Sequence, residues 1–285
     1  STRSLRSTDL THIAENGRTY PNDTYFMPCD NLEQTRLEIM HRVFLTALNG
    51  ALTTAPIGPG IKRMLDVGTG PGEWASQMAE QYPDAEVVAV DLAKYPPDHD
   101  SLADAPSPSP YLSPGHSDAP SNTPPTSSWA FSTPFDLIHI RYMKGAFTSW
   151  DAVYAECHAA LLPGGILEVI DLTLDTATIS PTSSLHALIT AVHRAALRSG
   201  RPLTLAHLSR HRFEAAGFVD VQRRVEELPM GTWREGERER VLGKMWLVAC
   251  VEGVEAVALR LLTRWAGWGV DEVRLCCARA REELL

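Results

Sequence analysis

Cysteine is scarce in this chain, and its five copies, Cys29, Cys157, Cys250, Cys276 and Cys277, include no Cys-x-x-Cys pair. An odd number without paired spacing argues against a disulfide framework or a zinc site, so these read as reduced intracellular thiols. Runs of Lys or Arg are missing as well. With a formal net charge of −9, no surface is expected to track phosphates, which removes DNA and RNA as partners. A bilayer span is lacking too: the longest uncharged stretch, Val43 to Ile61, holds Asn49, three glycines, Pro56 and Pro59, and reads as a helix end followed by a loop. Residues 1–20 contain no apolar central run of the kind a secretory signal needs. These absences place the chain in the cytoplasm or nucleus, away from membranes.

A hydrophobic fraction of 44% in 285 residues suffices for one large core. We read residues 1–24 as a polar tail and 25–285 as a single domain. Asp30, with Glu33 three residues later, opens a helix over about 30–50 in a capping-box arrangement. Leu32, Ile39, Met40, Val43, Phe44 and Ala47 give that helix an apolar face, in which Arg36 and His41 stand as polar exceptions.

The most informative stretch is Arg-Met-Leu-Asp-Val-Gly-Thr-Gly-Pro-Gly-Glu-Trp, 63–74. Met64, Leu65 and Val67 predict a buried strand. Gly68, Gly70 and Gly72 then turn the chain into a helix carrying Trp74, Met78 and Tyr82. Such a turn lets a ligand lie against free main-chain amides. A dinucleotide fingerprint would need glycine at position 73, where Glu73 stands, and no Gly-Lys-Ser or Gly-Lys-Thr follows for a phosphate loop. A second strand, 86–92, ends in Asp91, about 20 residues beyond the turn, where an acid serves ribose hydroxyls in a nucleotide-binding βαβ unit. The alternatives are a turn that binds nothing and an Asp that only caps the next loop.

Ten of the twenty prolines fall between Tyr95 and Pro134, so no regular helix survives there, and 96–128 reads as a Pro/Ser-rich insertion. Strands are predicted at 135–140 and 166–172, separated by a helix ending in Leu-Leu-Pro-Gly-Gly. Helices at 185–196 and 203–216 follow, then a strand near 218–225. Three apolar-faced helices, centred on Val241 to Val248, Val254 to Trp265 and Val273 to Leu284, close the chain.

The acidic residue before the Gly-x-Gly-x-Gly turn resembles motif I of the class I S-adenosylmethionine-dependent methyltransferases. Together with Met27 to His41, Phe135 to Met143, Pro163 to Glu168 and Pro229 to Trp233, it makes the chain similar to the fungal LaeA-like methyltransferase family. That resemblance implies an α/β fold: a Rossmann-like, seven-stranded core at 63–225, covered by the N-terminal helix and by C-terminal helices at 235–285. It implies S-adenosylmethionine as cofactor and S-adenosylhomocysteine as product. Asp66 would serve the methionine amino group and Asp91 the ribose, with Gly68, Thr69, Gly70, Gly72, Leu92, Trp129 and Arg141 as further contacts. The family's acidic cluster beside the adenine is replaced here by Ser127 and Ser128.

For a hydroxyl or carboxylic acid substrate, general-base candidates are His139, His41 and Glu168, with Asp171 beside them, although His139 alternates within a strand and reads more readily as a core or second-layer histidine. Tyr20, Tyr25, Tyr142, Trp150 and Trp233 are candidates to line the substrate pocket, with Arg36 and Asp171 as its polar members. The expected function is methylation of a small, largely apolar secondary metabolite. Two alternatives stand beside it: a LaeA-like regulator acting through protein partners, and a cofactor-binding fold with altered chemistry.

Overall fold

The computed structural model describes residues 12–91, 129, 131–174 and 176–285. The insertion expected at 96–128, with Ser127 and Ser128, lies outside the described residues, and so does Leu92. Where the sequence suggested only a polar tail, Ile13–Glu15 (β1) and Arg18–Tyr20 (β2) pair as an antiparallel hairpin. Its turn residues, Asn16 and Gly17, both have positive φ, as a tight two-residue hairpin turn requires. The hairpin is tied down by Arg260, which donates to the Glu15 carboxylate at 2.9 Å and to the carbonyls of Asn22 and Tyr25. The same guanidinium lies 4.0 Å from the Tyr20 ring centre.

Helix α1 spans Asn31–Ala47, and Asp30 accepts from the Glu33 amide at 3.2 Å as its N-cap. The second half of the expected capping box is absent, because the Glu33 side chain is spent on Arg36. The core follows in alternating order: Arg63–Val67 (β3), Glu73–Gln81 (α2), Glu86–Val90 (β4), Phe135–Arg141 (β5), Trp150–Ala160 (α3) and Leu161–Ile170 (β6). All pairings are parallel and the sheet order is β4-β3-β5-β6. Helix α2 packs its Trp74 and Met78 on one face of the sheet, and α3 packs Val153, Tyr154 and Cys157 on the other. This is the Rossmann-like arrangement, whose ligands bind beyond the carboxyl ends of the strands.

The cover consists of α1 with Ser184–Arg198 (α4), Glu237–Trp265 (α6) and Val270–Leu284 (α7), while Arg210–Ala215 (α5) lies beside α3. Among the described residues no helix is long and apolar enough to cross a membrane.

Four strands of the expected sheet are present among the described residues. Three expectations are corrected. Residues 218–225 form no strand: Phe218 packs against the α3 side of the core, while Val219 and Val225 are exposed, without the alternating burial a half-buried strand shows. The Leu-Leu-Pro-Gly-Gly turn lies inside β6: pairing jumps from Phe135–Leu161 to Leu137–Ile166, and 162–165 bulge out between them. The first two of the three C-terminal helices are one, α6, because Gly253 sits inside it with the Arg36 side chain 3.5 Å from where a Cβ would stand. A glycine weakens a helix interior without ending it, and here it makes room for a buried guanidinium.

Candidate functional site

One cavity of ≈ 270 Å³ runs from the carboxyl ends of β3, β4 and β5 up between the covering helices. At its lower end the chain leaves β3 through Gly68, Gly70 and Gly72, with φ of 75°, 60° and 91°. These left-handed values explain the glycines, since other residues are strained there. The turn is anchored by the Gly68 amide donating to the Val90 carbonyl at 2.8 Å, and by the Gly70 amide donating to Asp91 Oδ2 at 2.8 Å. Gly72 caps α2 without a side chain, so no side chain takes up the amides of the helix start. A Cβ on Gly72 would meet no heavy atom within 4 Å, whereas one on Gly68 would collide with the Met143 side chain.

Four charged groups and an imidazole gather at this end. Asp66 is buried, and its Oδ2 has no hydrogen-bond partner among the described residues; the Thr69 hydroxyl faces it without hydrogen-bond geometry. Burial raises the Asp66 pKa against the pull of His139, Thr69 and Arg141. Burial, followed by the nearby Glu38 charge, raises Glu73 to about 7, with Arg141 and Arg42 opposing. Asp91 lies at the end of β4 and Arg141 at the end of β5. Arg141 donates to His41 Nδ1 at 2.9 Å and stacks over Phe44 at 4.9 Å. A guanidinium can only donate, so the neutral His41 ring carries its proton on Nε2. Burial and then Arg141 lower the His41 pKa to about 4, which keeps the ring neutral at ordinary pH.

The middle of the cavity is bounded by a closed group. Arg36 donates twice to Glu33, at 2.8 and 2.6 Å, and once to the Tyr142 hydroxyl at 3.2 Å. Tyr142 has φ of 60°, a left-handed backbone unusual for a bulky residue, and this strand-end kink presents its ring to α1. Above lies an apolar chamber walled by Phe26 and Met27, by Leu185, Leu188, Ile189 and Val192 of α4, and by Trp246, Val254 and Val257 of α6. Lys144 and His193 also face it.

A methyltransferase-domain family model matches residues 38–223. The secondary metabolism regulator laeA of Monascus pilosus is 32% identical, over 94% of this chain and 72% of that protein. The methyltransferase pytC of Aspergillus terreus is 31% identical, over all of this chain and 86% of that protein. The chain belongs to the LaeA-like class I methyltransferases. It is thus an S-adenosylmethionine-dependent methyltransferase. The family's protein-methionine methyltransferase laeA of Emericella nidulans is 32% identical, over 94% of this chain and 71% of that protein. Among solved structures, an O-methyltransferase family protein from Burkholderia thailandensis aligns with a TM-score of 0.40 at 11% identity, over 68% of this chain and 55% of that one, a likeness too distant to inform the site.

The cavity's lower end fits the cofactor of this methyltransferase family. The glycine turn is open on its outer side, the helix start is uncapped, and an orphaned Asp66 oxygen calls for a donor. Of the residues expected there, Asp66, Gly68, Thr69, Gly70, Asp91 and Arg141 line the cavity, as do His41, Tyr25, Arg36 and Tyr142.

The remaining expected residues lie elsewhere. Gly72 borders the turn without lining the cavity. His139 and Glu168 sit in the sheet, in register with Asp66. His139 stacks on Trp74 at 4.0 Å and bonds Glu168 at 2.9 Å, while Glu168 also accepts from Thr53 and Thr54. Burial opposes ionisation of Glu168, yet His139 and Thr54 hold its pKa down at about 2. This network ties the 51–55 loop to the sheet and does not line the cavity, and His139 Nε2 has no hydrogen-bond partner among the described residues. Tyr20 packs on Arg260, Trp150 stacks on His207 at 4.1 Å, and Trp129 is buried edge-on to Phe131. Asp171 is spent on the amides of Lys144 and Leu172, and Trp233 is exposed beside Arg234.

Sequence reasoning missed Glu73, Met143, Lys144 and His193. Glu73 stood in plain view as the residue that excludes a dinucleotide fingerprint. His193 lies four residues after Ile189 on α4, a polar break in an apolar stripe that could have marked it. Met143 and Lys144 gave no pattern, because a strand end followed by an irregular turn carries no periodicity.

Proposed function

We propose that this methyltransferase transfers the methyl group of S-adenosylmethionine to a small, largely apolar metabolite. The observation that carries this reading is the continuity of one cavity from a polar glycine turn to an apolar chamber closed over by helices. Bound S-adenosylmethionine supplies an electrophilic methyl group on a sulfonium. Asp66, assisted by Glu73, accepts from the cofactor's amino group, and Arg141 faces its carboxylate. The Gly68 to Gly72 turn lets the methionine portion approach the backbone, and Asp91 accepts from the ribose.

Catalysis then rests on alignment and exclusion of water, which an in-line displacement chiefly demands. Phe26, Met27, Leu188 and Val254 provide the dry wall, and the Arg36–Glu33–Tyr142 group fixes the partition between cofactor and chamber. We assign no proton transfer to His139 or Glu168, which lie outside the cavity, nor to His41, whose free nitrogen carries a proton.

Titration calorimetry of the purified protein with S-adenosylmethionine and with S-adenosylhomocysteine tests the first half, and micromolar binding of both is expected. Incubation with labelled S-adenosylmethionine and a fungal metabolite extract tests the second. Label should appear in the small-molecule fraction. A second reading, regulation through a protein partner, draws on the relatives named as regulators, and label confined to protein would favour it. Absence of cofactor binding would overturn the first reading and move weight to the partner-dependent one.

A further inference from the structure

Among the described residues the chamber holds one charge that no ion pair matches. Glu33 and Arg36 neutralise each other, and the charges at the glycine turn belong to the cofactor end. Lys144, in the turn that follows β5, also lines the cavity, and its Nζ donates to the Leu172 carbonyl. An ammonium has three donors, and this is the one hydrogen bond Nζ makes among the described residues. The Asp171 charge favours the ammonium but makes no ion pair with it, because its oxygens are engaged elsewhere. Asp171 Oδ2 accepts from the Lys144 amide at 2.6 Å, its Oδ1 accepts from the Leu172 amide at 2.9 Å, and His207 Nε2 stands 3.4 Å from Oδ2. His193 projects from α4 into the same chamber, and neither of its ring nitrogens has a hydrogen-bond partner among the described residues.

We infer that the Lys144 ammonium and the His193 imidazole form an oxyanion-recognising pole in the apolar chamber, so that the preferred ligand is an apolar molecule bearing one anionic oxygen group. Leucine, isoleucine and valine side chains of α4 and α6 take up the apolar body, and Lys144 takes the acidic end through a charge-assisted hydrogen bond. Burial lowers the pKa of both groups, for Lys144 against the opposing pull of Asp171 and Cys250, and the Lys144 charge depresses His193 further. The imidazole therefore stays neutral beside the cation and offers one N–H donor. The local charge also opposes the whole: a chain of net charge −9 keeps an unpaired cation inside its chamber. Desolvating an ammonium without an anion is costly, and an incoming oxyanion removes that cost.

This deepens the small-metabolite reading and rests on it. The test uses two naphthalene probes of nearly equal shape, 2-naphthoate and the neutral 2-naphthamide, titrated into protein saturated with S-adenosylhomocysteine so that Arg141 and the glycine turn are covered. The naphthoate should bind at least tenfold more tightly. Lys144→Met, verified as folded by its melting transition, should shrink that preference to less than threefold while leaving affinity for the amide and for S-adenosylhomocysteine unchanged. Equal affinities in the unaltered protein would overturn the inference without any variant, and so would a preference that survives Lys144→Met. Binding of neither probe by protein that binds S-adenosylhomocysteine overturns it as well, whereas failure of S-adenosylhomocysteine itself to bind overturns the reading beneath.

Discussion

The two ends of the cavity are made by different physics. At the cofactor end much of the surface is fixed by backbone: the left-handed Gly68 and Gly70, the uncapped helix start beside them, and carboxylates held at the ends of adjacent parallel strands. At the chamber end it is side chains from α1, α4 and α6, with Leu284 of α7, elements that lie up to 250 residues apart. A surface made of main chain tolerates little change, because each glycine is fixed by its own dihedral angles and by what lies against it. A surface made of side chains can be reshaped one residue at a time while the helices keep their packing. One fold can therefore keep its cofactor and change its substrate, and the sharpest tests are those that injure one end and spare the other.

The largest effect is expected from Gly70→Val. Its φ of 60° costs a β-branched residue about 1–2 kcal/mol. The Cβ itself fits, 3.6 Å from Leu37, but the branches project where the methionine portion of the cofactor must pass. Affinity for S-adenosylhomocysteine should fall at least about a hundredfold, roughly 3 kcal/mol, by calorimetry. Binding of 2-naphthamide in the chamber should change little. Retained cofactor affinity would remove the glycine turn from the site.

This asymmetry also explains what could be read from the sequence. Backbone-built features leave a local signature. Gly68, Gly70 and Gly72 follow an apolar strand, Asp91 closes the next strand, and Asp30 announces α1 at its first turn. The parallel core was legible for that reason, down to Trp74 on α2. The chamber was not, since whether Leu188, Val254 or His193 faces a cavity or a neighbouring helix depends on how distant elements dock, and apolar periodicity looks the same in both cases. His139 shows the limit from the other side. Alternation within its strand already pointed to a core or second-layer histidine beside the general-base reading, and the register with Asp66 and Glu168 and the stacking on Trp74 decide for the sheet interior. The single helix α6, likewise, was not legible from its apolar faces, and Gly253 within it makes room for the buried guanidinium of Arg36.

A smaller effect separates the ends by charge. Glu73 titrates at about 7 in the folded protein against an ordinary value of 4.5, chiefly because it is buried and secondarily because Glu38 is near. A carboxyl with a raised folded pKa binds its proton more tightly in the folded state. Its contribution to stability is therefore complete below pH 4.5, declines as pH rises, and is gone above pH 7. Glu73→Gln should stabilise the protein at pH 8 by about 1 kcal/mol, after discounting for its partial exposure, and should not do so at pH 4. Paired thermal melts at the two pH values measure this. An equal gain at both would mean that packing, not charge, is responsible. No comparable gain is expected from exchanging one apolar side chain of the chamber wall for another.

The smallest effect at the cofactor end should come from enlarging the chamber wall. Val254 is partly buried on α6, lines the cavity and packs against the core formed by α4, α6 and α7. Val254→Phe points its added ring into open space and avoids overpacking a closed core, which would cost about 1–3 kcal/mol. S-adenosylhomocysteine affinity should stay within about twofold, under roughly 0.5 kcal/mol, because no part of the glycine turn moves. Binding of 2-naphthamide, which needs only apolar volume, should weaken by at least about tenfold, and the preference for 2-naphthoate should persist in whatever binding remains, since Lys144 is untouched. If Val254→Phe weakens both ligands equally, the two ends are mechanically coupled through α6, where Gly253 lies beside the Arg36 side chain. The partition made by Arg36, Glu33 and Tyr142 would then transmit strain between cofactor and substrate instead of isolating one from the other.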